Sequence, residues 1–204
     1  MNKIIHAAVR RDVARTERAL RDLRDGDSAR ARQLQTAWRN LVRELTHHHE
    51  AEDDILWPFL LRRGVDAHLL EQMEAEHVAM KTALASASDA IDAVVATPTS
   101  ATATAAADTV ASASTVIGTH LDHEERDVED RMAGLEHDPE FKAVAKQLRP
   151  ASIVDAANAL AWMQDGAGQR EVSSLRAAIP GPVVTVLTRL VARRYQREVA
   201  PVWR

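Results

Sequence analysis

Two short motifs in this sequence pair a histidine with a glutamate four residues later. His48 and Glu52 stand in HHHEAED, and His120 and Glu124 stand in HLDHEE. Residues i and i+4 lie on the same face of an α-helix, one turn apart, so each pair offers one nitrogen and one oxygen to the same place. The chain has nine histidines and no cysteine, so a bound metal ion must be held by nitrogen and oxygen atoms. The motifs therefore favour metal binding over thiol chemistry.

Two further histidines lie in apolar patterns that are typical of bundle helices. His77 stands between Met73 and Met80, and His6 stands three residues before Val9; the apolar residues recur at alternating steps of three and four. Ionisable groups are rarely buried unless they are paired or bound to a metal ion. We therefore predict that six inward-facing side chains meet and bind metal: His6, His48, Glu52, His77, His120 and Glu124.

Three turn sequences divide the first 135 residues into four helical segments. They are 25–27, Gly64 and 97–100, and each contains glycine, proline or short polar residues. Alanine is abundant and β-branched runs are scarce, so we predict an all-α fold, an up-down-up-down four-helix bundle. Counting from each turn at 1.5 Å per residue places the six side chains at one level, within about 9 Å. They could fill one octahedral ion or hold two ions bridged by the carboxylates; two facing carboxylates favour the second arrangement.

A competing arrangement uses the Glu-x-x-His motif of ferritin-like proteins, which Glu44–His47 and Glu74–His77 both fit. Glu44 and His47 flank the inward-facing positions of their helix, so we expect them to point away from the core. Asp53 and Glu125 are expected on solvated helix faces, with a hydrogen bond to a ligating histidine as the alternative. We also expect three other histidines, His68, His123 and His137, at the surface, with His123 alternatively beside a ligand.

The order H…HxxxE…H…HxxxE, at His6, His48–Glu52, His77 and His120–Glu124, resembles the hemerythrin-like (HHE cation-binding) domain over about residues 1–135. The strings HHHEAEDDILWPFL, with Pro58 ending the second helix, and HLDHEERD resemble the second and fourth helices of that family. The resemblance implies a non-haem centre of two iron ions bridged by the two glutamates and an oxo or hydroxo group.

The chain departs from the oxygen-carrying members of this family at two positions. They have a further histidine four residues before the one that matches His77, where this chain has Met73, a poor iron ligand. They also place the last carboxylate five residues after its histidine, where this chain has Glu125 beside Glu124. These departures argue against reversible oxygen transport, and His49 is a candidate replacement ligand.

The resemblance implies a protein that binds or reacts with O2, H2O2 or NO. Peroxide decomposition, a catalase-like activity, and O2 or NO sensing are the leading hypotheses. The alternative is an iron-binding regulatory or storage module without catalysis. No catalytic residue separate from the metal ligands is predicted.

Residues 136–204 are expected to form a C-terminal helical extension that packs on the bundle. Asp138-Pro139 begins a helix through Leu148, ASIVDAANALAWM forms another, and the run after Pro180 forms a basic amphipathic helix. The role of the extension is left open. It could cover one flank of the bundle, line access to the metal ions or form a homodimer contact.

The composition excludes several partners. A net charge of −4 and a pI near 6.1 give no broad attraction to a phosphate backbone, so a general nucleic-acid partner is not expected. The sequence has no signal-peptide pattern and no run of roughly 18 apolar residues. We therefore expect a cytoplasmic protein without a membrane partner.

Overall fold

The fold is all-α. A computed structural model describes residues 2–132, 134–135 and 138–204, with the side chain of Asp130 outside the described part. Over these ranges the regular elements are all helical, which confirms the predicted fold class at this level. The prediction for His137 and the proposed domain boundary at residue 136 fall outside the described residues. No helix in the described ranges is both long and apolar enough to cross a membrane.

Four long helices enclose a shared core. They are α1 (Asn2–Arg21), α2 (Ser28–Ala51), α4 (Ala67–Ala96) and α5 (Ser100–Asp127), with the short α3 (Trp57–Arg62) between α2 and α4. Helix α1 packs against α2 and α5, and α4 packs against the same two helices. Each long helix therefore has two long neighbours, and the apolar residues of all four face one interior.

The predicted turns lie where the long helices begin. Asp27 caps α2 by accepting a hydrogen bond from the backbone N–H of Arg30, and Thr99 forms a reciprocal capping box with Thr102 at the start of α5. Gly26 has a φ of 82°, a left-handed conformation that favours glycine. Its N–H donates to the Pro98 carbonyl at 2.8 Å. The α1–α2 and α4–α5 turns therefore lie at the same end of the molecule.

The second helix does not end at Pro58. Helix α2 continues through a π-helical turn, Glu52–Leu56, into α3, so the expectation that Pro58 terminates it was wrong. Proline lacks a backbone N–H and is tolerated in the first turn of a helix, where that donor has no intrahelical acceptor. Pro58 lies in the first turn of α3, and the N–H of Trp57 reaches back to the Glu52 carbonyl across the wide turn.

Helix α6 (Glu129–Met132) follows α5 directly. Within the described residues the extension contains four α-helices: α7 (Pro139–Gln147), α8 (Ile153–Gln164), α9 (Gln169–Ala178) and α10 (Gly181–Val186). Asp138 caps α7 by accepting from the N–H groups of Glu140 and Phe141, which confirms the helix start predicted there.

The basic run after Pro180 is an interrupted helix rather than the continuous one that the sequence predicts. Helix α10 is followed by π-helical turns at Leu187–Val191 and Tyr195–Val199 and a 3-10 turn at Ala200–Trp203. The N–H of Tyr195 donates to the side-chain oxygen of Asn158 in α8 at 2.9 Å. A side chain from another element thus takes the place of an acceptor within the helix, and the helical repeat breaks there.

A buried carboxylate joins the extension to the bundle. Asp12 of α1 is only 1% exposed; it accepts from the Trp162 indole N–H at 2.9 Å and from Arg11 Nε at 2.8 Å. Arg11 also donates to the Trp162 carbonyl at 2.9 Å. Burial raises the pKa of Asp12, against the opposing charges of Arg11 and Arg15.

Candidate metal centre

Inward-facing side chains form two adjacent groups of potential ligands inside the bundle. The first, called here the His49 group, contains His49, His77 and His120; the second, the Glu124 group, contains His6, His48 and Glu124. In each group the potential ligand atoms lie within 4.8 Å of one another. Most of these side chains are buried: His6 and Glu124 have no exposed surface, and His48, the exception, is 10% exposed.

Every long helix contributes to these groups. His6 comes from α1, His48 and His49 from α2, His77 from α4, and both His120 and Glu124 from α5; Glu52 begins the π-helical turn that follows α2. The structure therefore brings together all six side chains that the sequence predicted at one level, and it adds His49.

The two glutamates lie between the groups. Glu52 places Oε1 3.3 Å from His48 Nε2 and Oε2 3.7 Å from His77 Nε2. Glu124 Oε2 lies 3.2 Å from His6 Nε2 and 3.8 Å from His120 Nε2. Each carboxylate thus approaches one histidine of each group, the arrangement that a carboxylate bridging two ions requires.

The π-helical turn places two consecutive carboxylates against one histidine. Glu52 Oε2 approaches His77 Nε2, and Asp53 Oδ1 lies 2.7 Å from His77 Nδ1. In a regular α-helix consecutive side chains diverge by about 100°, and Asp53 was expected on a solvated face. The wider turn changes that phase, so Asp53, whose side chain is 36% exposed, takes the alternative role of a partner to His77.

Carboxylates outside the two groups fix the rings of three histidines. Besides the Asp53–His77 pair, His120 Nδ1 lies 2.9 Å from Glu76 Oε2, and His6 Nδ1 lies 2.8 Å from Glu125 Oε1. An ionised carboxylate only accepts hydrogen bonds, so each Nδ1 donates and each Nε2 turns a lone pair toward the centre. This is the usual orientation of a metal-binding histidine. Glu125, expected on a solvated face, instead orients His6.

The polar atoms at the centre are short of partners, and a cation would supply one. His77 Nε2 lies 3.1 Å from His120 Nε2, and both rings already carry their proton on Nδ1, so two lone pairs face each other. His49 Nε2 and Glu52 Oε2 are buried without a hydrogen-bond partner in the described part of the chain. Such groups are costly inside a protein. The donor set therefore fits bound cations.

The electrostatics of the centre favour the neutral form of three imidazoles, those of His48, His49 and His120. Burial, with the nearby charge of His6, lowers the pKa of His48 to about 3; burial and His77 lower the pKa values of His49 and His120. Neutral imidazole is the form that ligates metal ions.

The two glutamates titrate in opposite directions. Burial and the neighbouring charge of Glu124 raise the pKa of Glu52 well above its ordinary value. Burial also acts to raise the pKa of Glu124, but the neighbouring imidazoles, His6 above all, outweigh it and lower the pKa. A single negative charge is therefore favoured at the centre when no cation is present.

Residues outside the centre follow the predicted helix phase. The side chain of His47 is 73% exposed, and His68 and Glu74 are also exposed, so the ferritin-like pattern does not face the core. Met73 is fully buried among apolar side chains. His123, predicted at the surface or beside a ligand, lies 2.7 Å from Glu76, which holds His120.

Two contributors were not predicted from the sequence. Glu76 joins the Nδ1 atoms of His120 and His123, and Asn2 donates to Glu124 Oε1 at 2.6 Å. Glu76 has one sequence signal, since Asp53, Glu76 and Glu125 each lie one residue from a predicted ligand. No sequence signal identifies Asn2.

Comparison with known proteins agrees with this geometry. No curated protein and no solved structure matches the chain with significance. The family described as "Hemerythrin HHE cation binding domain" matches residues 3–132, which include all four long helices and every residue of the two ligand groups. The chain therefore belongs to the hemerythrin HHE cation-binding domain family, whose members bind metal cations, typically iron.

Proposed function

We propose that this protein holds two iron ions and reacts with a small oxygen species. His49, His77 and His120 would hold one ion, His6 and His48 would hold the other, and Glu52 and Glu124 would contribute to both. The observation that carries this proposal is the position of the two carboxylates, each between one histidine of either group. His49 supplies the imidazole that Met73 does not.

We also propose that the four long helices alternate in direction, up-down-up-down, along the chain. The hydrogen bond from Gly26 to Pro98 at one end supports it. So do the side-chain contacts of His6 with His48 and of His77 with His120 at a common level.

Two adjacent iron ions supply reversible two-electron chemistry when bound. With hydrogen peroxide as the substrate, two molecules yield one O2 and two waters, so the reaction needs no further oxidant or reductant. The chain's own residues orient and protect the centre. Glu76, Asp53 and Glu125 hold Nδ1 protons of three histidines, and Asn2 fixes one oxygen of Glu124. Burial keeps bulk water away from the donors.

Metal analysis of protein expressed in iron-replete medium tests the centre. About two irons per chain are expected, and the iron-loaded protein should release O2 from peroxide. Glu52→Ala with Glu124→Ala should abolish both iron binding and O2 release. Glu71→Ala with Glu74→Ala, which removes two exposed carboxylates from α4, is the matched control. Full iron content and activity in the first double variant, or zinc in place of iron in the natural chain, would refute the proposal.

A non-catalytic iron-binding module is the second candidate, and the burial of the donors favours it. Cations held by buried groups contribute to the free energy of folding. Iron-loaded protein that releases no O2 from peroxide, and that melts at a lower temperature after chelation, is expected in that case. Rapid O2 release from peroxide would instead favour the enzyme, whatever the effect of chelation on the melting temperature.

A further inference from the structure

A second polar cavity lies at the end of the bundle remote from the metal centre. It has a volume of about 510 Å³ and is lined by the C-terminal part of α1, the α1–α2 turn and the last residues of the chain. On α1, Arg18 follows His6 by twelve residues, a rise of about 18 Å. The cavity is therefore separate from the ligand groups.

The cavity is strongly basic. Five arginines line it, against two aspartates: Arg15, Arg18, Arg24, Arg30 and Arg204, with Asp22 and Asp27. Asp27 is already engaged, because its carboxylate accepts the N–H of Arg30 and caps α2. Arg15 is engaged as well, because it lies 3.4 Å from Asp12 and 3.7 Å from Asp165. The other four arginines carry the positive charge of the cavity wall, against Asp22.

Several of these guanidinium groups have no protein partner. Within the described residues, the side chains of Arg18, Arg24 and Arg204 form no hydrogen bond or ion pair. Arg30 uses Nη1 to donate to the Val202 carbonyl at 2.8 Å and to Gln33 at 3.2 Å. Its Nε and Nη2 donors are left for a ligand. Guanidinium groups present paired donors that match the oxygens of phosphate, and a cluster of them attracts anions.

An aromatic side chain completes one wall. Trp203 lines the cavity, and the Arg15 guanidinium lies 5.6 Å from its ring centroid. The Trp203 indole Nε1 is buried without an acceptor. Leu23 and Val202 also border the cavity but are buried, at 4% and 2% exposed. The partly exposed Trp203 ring therefore supplies the aromatic surface beside the arginines.

We propose that this cavity binds a small organic phosphate of nucleotide size. The arginines would contact the phosphate groups, and the organic part would lie against the partly exposed Trp203 ring. A volume of about 510 Å³ lies within the range of pockets for organic ligands, and a single inorganic phosphate would fill little of it. Because α1, the α1–α2 turn and the end of the extension all line the cavity, the ligand would connect the extension to the bundle.

Calorimetric titration with ADP, in the absence of added metal, tests the proposal. We expect one ADP per chain, with a shift of one indole Nε1–H resonance in proton–nitrogen spectra, assigned to Trp203 by its loss in Trp203→Phe. Arg18→Gln with Arg24→Gln should weaken binding at least tenfold; both residues are exposed, so the fold should persist. Arg189→Gln with Arg193→Gln, an equal charge change at exposed residues outside the cavity, should leave binding unchanged.

The two halves of the ligand are tested separately. Pyrophosphate should bind more weakly than ADP, and adenosine should not bind measurably. No saturable ADP binding at millimolar concentration, or equal weakening by the control pair, would overturn the site. Pyrophosphate binding as tight as that of ADP would overturn the organic part, and adenosine binding as tight would overturn the phosphate part. None of these results depends on iron.

Discussion

At the scale of single residues, the outer carboxylates decide which ring nitrogen faces the metal centre. Asp53, Glu76 and Glu125 each hold the Nδ1 atom of a different histidine, so the Nε2 atoms are directed inward. His49 differs, because its Nε2 is buried without a partner. Its ring stacks on His77 with centroids 4.0 Å apart. His49 is therefore the ligand assignment that most needs a direct test.

His49→Ala should lower the iron content from about two ions to about one per chain. The His49 group would keep only two imidazoles and a share of the bridging carboxylates, while the Glu124 group stays complete. Iron analysis after expression in iron-replete medium measures this. Met73→Leu, which keeps the volume of a buried side chain, should retain both ions. Two ions per chain in the His49 variant would exclude His49 as a ligand.

His48→Gln should make the stability of the metal-free protein less sensitive to pH. The pKa of His48 is lowered from 6.5 to about 3, so below pH 6.5 the unfolded chain binds a proton that the folded chain does not. This histidine therefore lowers the free energy of unfolding as pH falls through that window. The raised pKa of Glu52 acts with the opposite sign, and it is present in both proteins.

Denaturant unfolding of chelated protein at pH 7.0, 6.0 and 5.0 measures the effect. Compared with the natural chain, His48→Gln should reduce the loss of stability by up to about 1 kcal/mol per pH unit. His68→Gln, at an exposed position, should not change the slope. Parallel pH profiles for the natural chain and His48→Gln would contradict the assigned shift.

Sequence patterns predicted the inner residues of the centre better than the outer ones. The predicted ligands follow from helical phase and from the number of residues between turns, both of which can be counted in the sequence. Asp53 depends on a π-helical turn, and Asn2 depends on where the start of α1 meets α5. Neither of these is encoded in a repeating pattern, because each arises from the packing of one element against another.

At the scale of the elements, the phase of α2 and the docking of the extension are the main departures from regular helices. The turn at Glu52–Leu56 lets the chain continue past Pro58. The interrupted helix after Pro180 follows from the Asn158–Tyr195 hydrogen bond. In both places, Pro58 and the basic amphipathic pattern gave the wrong local prediction because tertiary contacts overrode it.

Asp12→Ala should lower the free energy of unfolding by about 1–3 kcal/mol. The change would leave the buried Trp162 N–H without its acceptor and the Arg11 guanidinium without its counter-ion. Denaturant unfolding monitored by tryptophan fluorescence measures this. Asp89→Ala, at an exposed position of α4, is the control and should change stability little. An unchanged Asp12 variant would show that the extension docks without this contact.

At the scale of the whole molecule, one core cluster contains residues from the bundle and from the extension, including Val13, Leu34, Trp162 and Tyr195. A separate cluster joins the π-helical turn, α3, α4 and α7 and includes Phe59 and Val144. The bundle was predicted from its four repeating patterns. The side of the bundle on which the extension packs was not, because surface contacts between short helices have no regular spacing in the sequence.

Removal of iron should lower the melting temperature by about 10 °C. A ligand at about 1,000 times its dissociation constant stabilises a protein by about 4 kcal/mol, and each kcal/mol shifts the melting temperature of a chain of this size by about 2–4 °C. Calorimetry before and after chelation measures the shift. Glu52→Ala with Glu124→Ala should melt at the same temperature with and without chelator; a chelator effect in that variant would point to metal bound elsewhere.

The ligands of a single ion group lie far apart along the chain. His6 and Glu124 approach to 3.2 Å in the folded protein, yet one comes from the first turns of α1 and the other from the last turns of α5. During synthesis, a nascent chain has neither ligand group complete until α5 has left the ribosome. Cation loading would therefore be a late event, and a chain whose translation stops after α4 would retain histidines and Glu52 without a closed site to shield a bound cation from solvent.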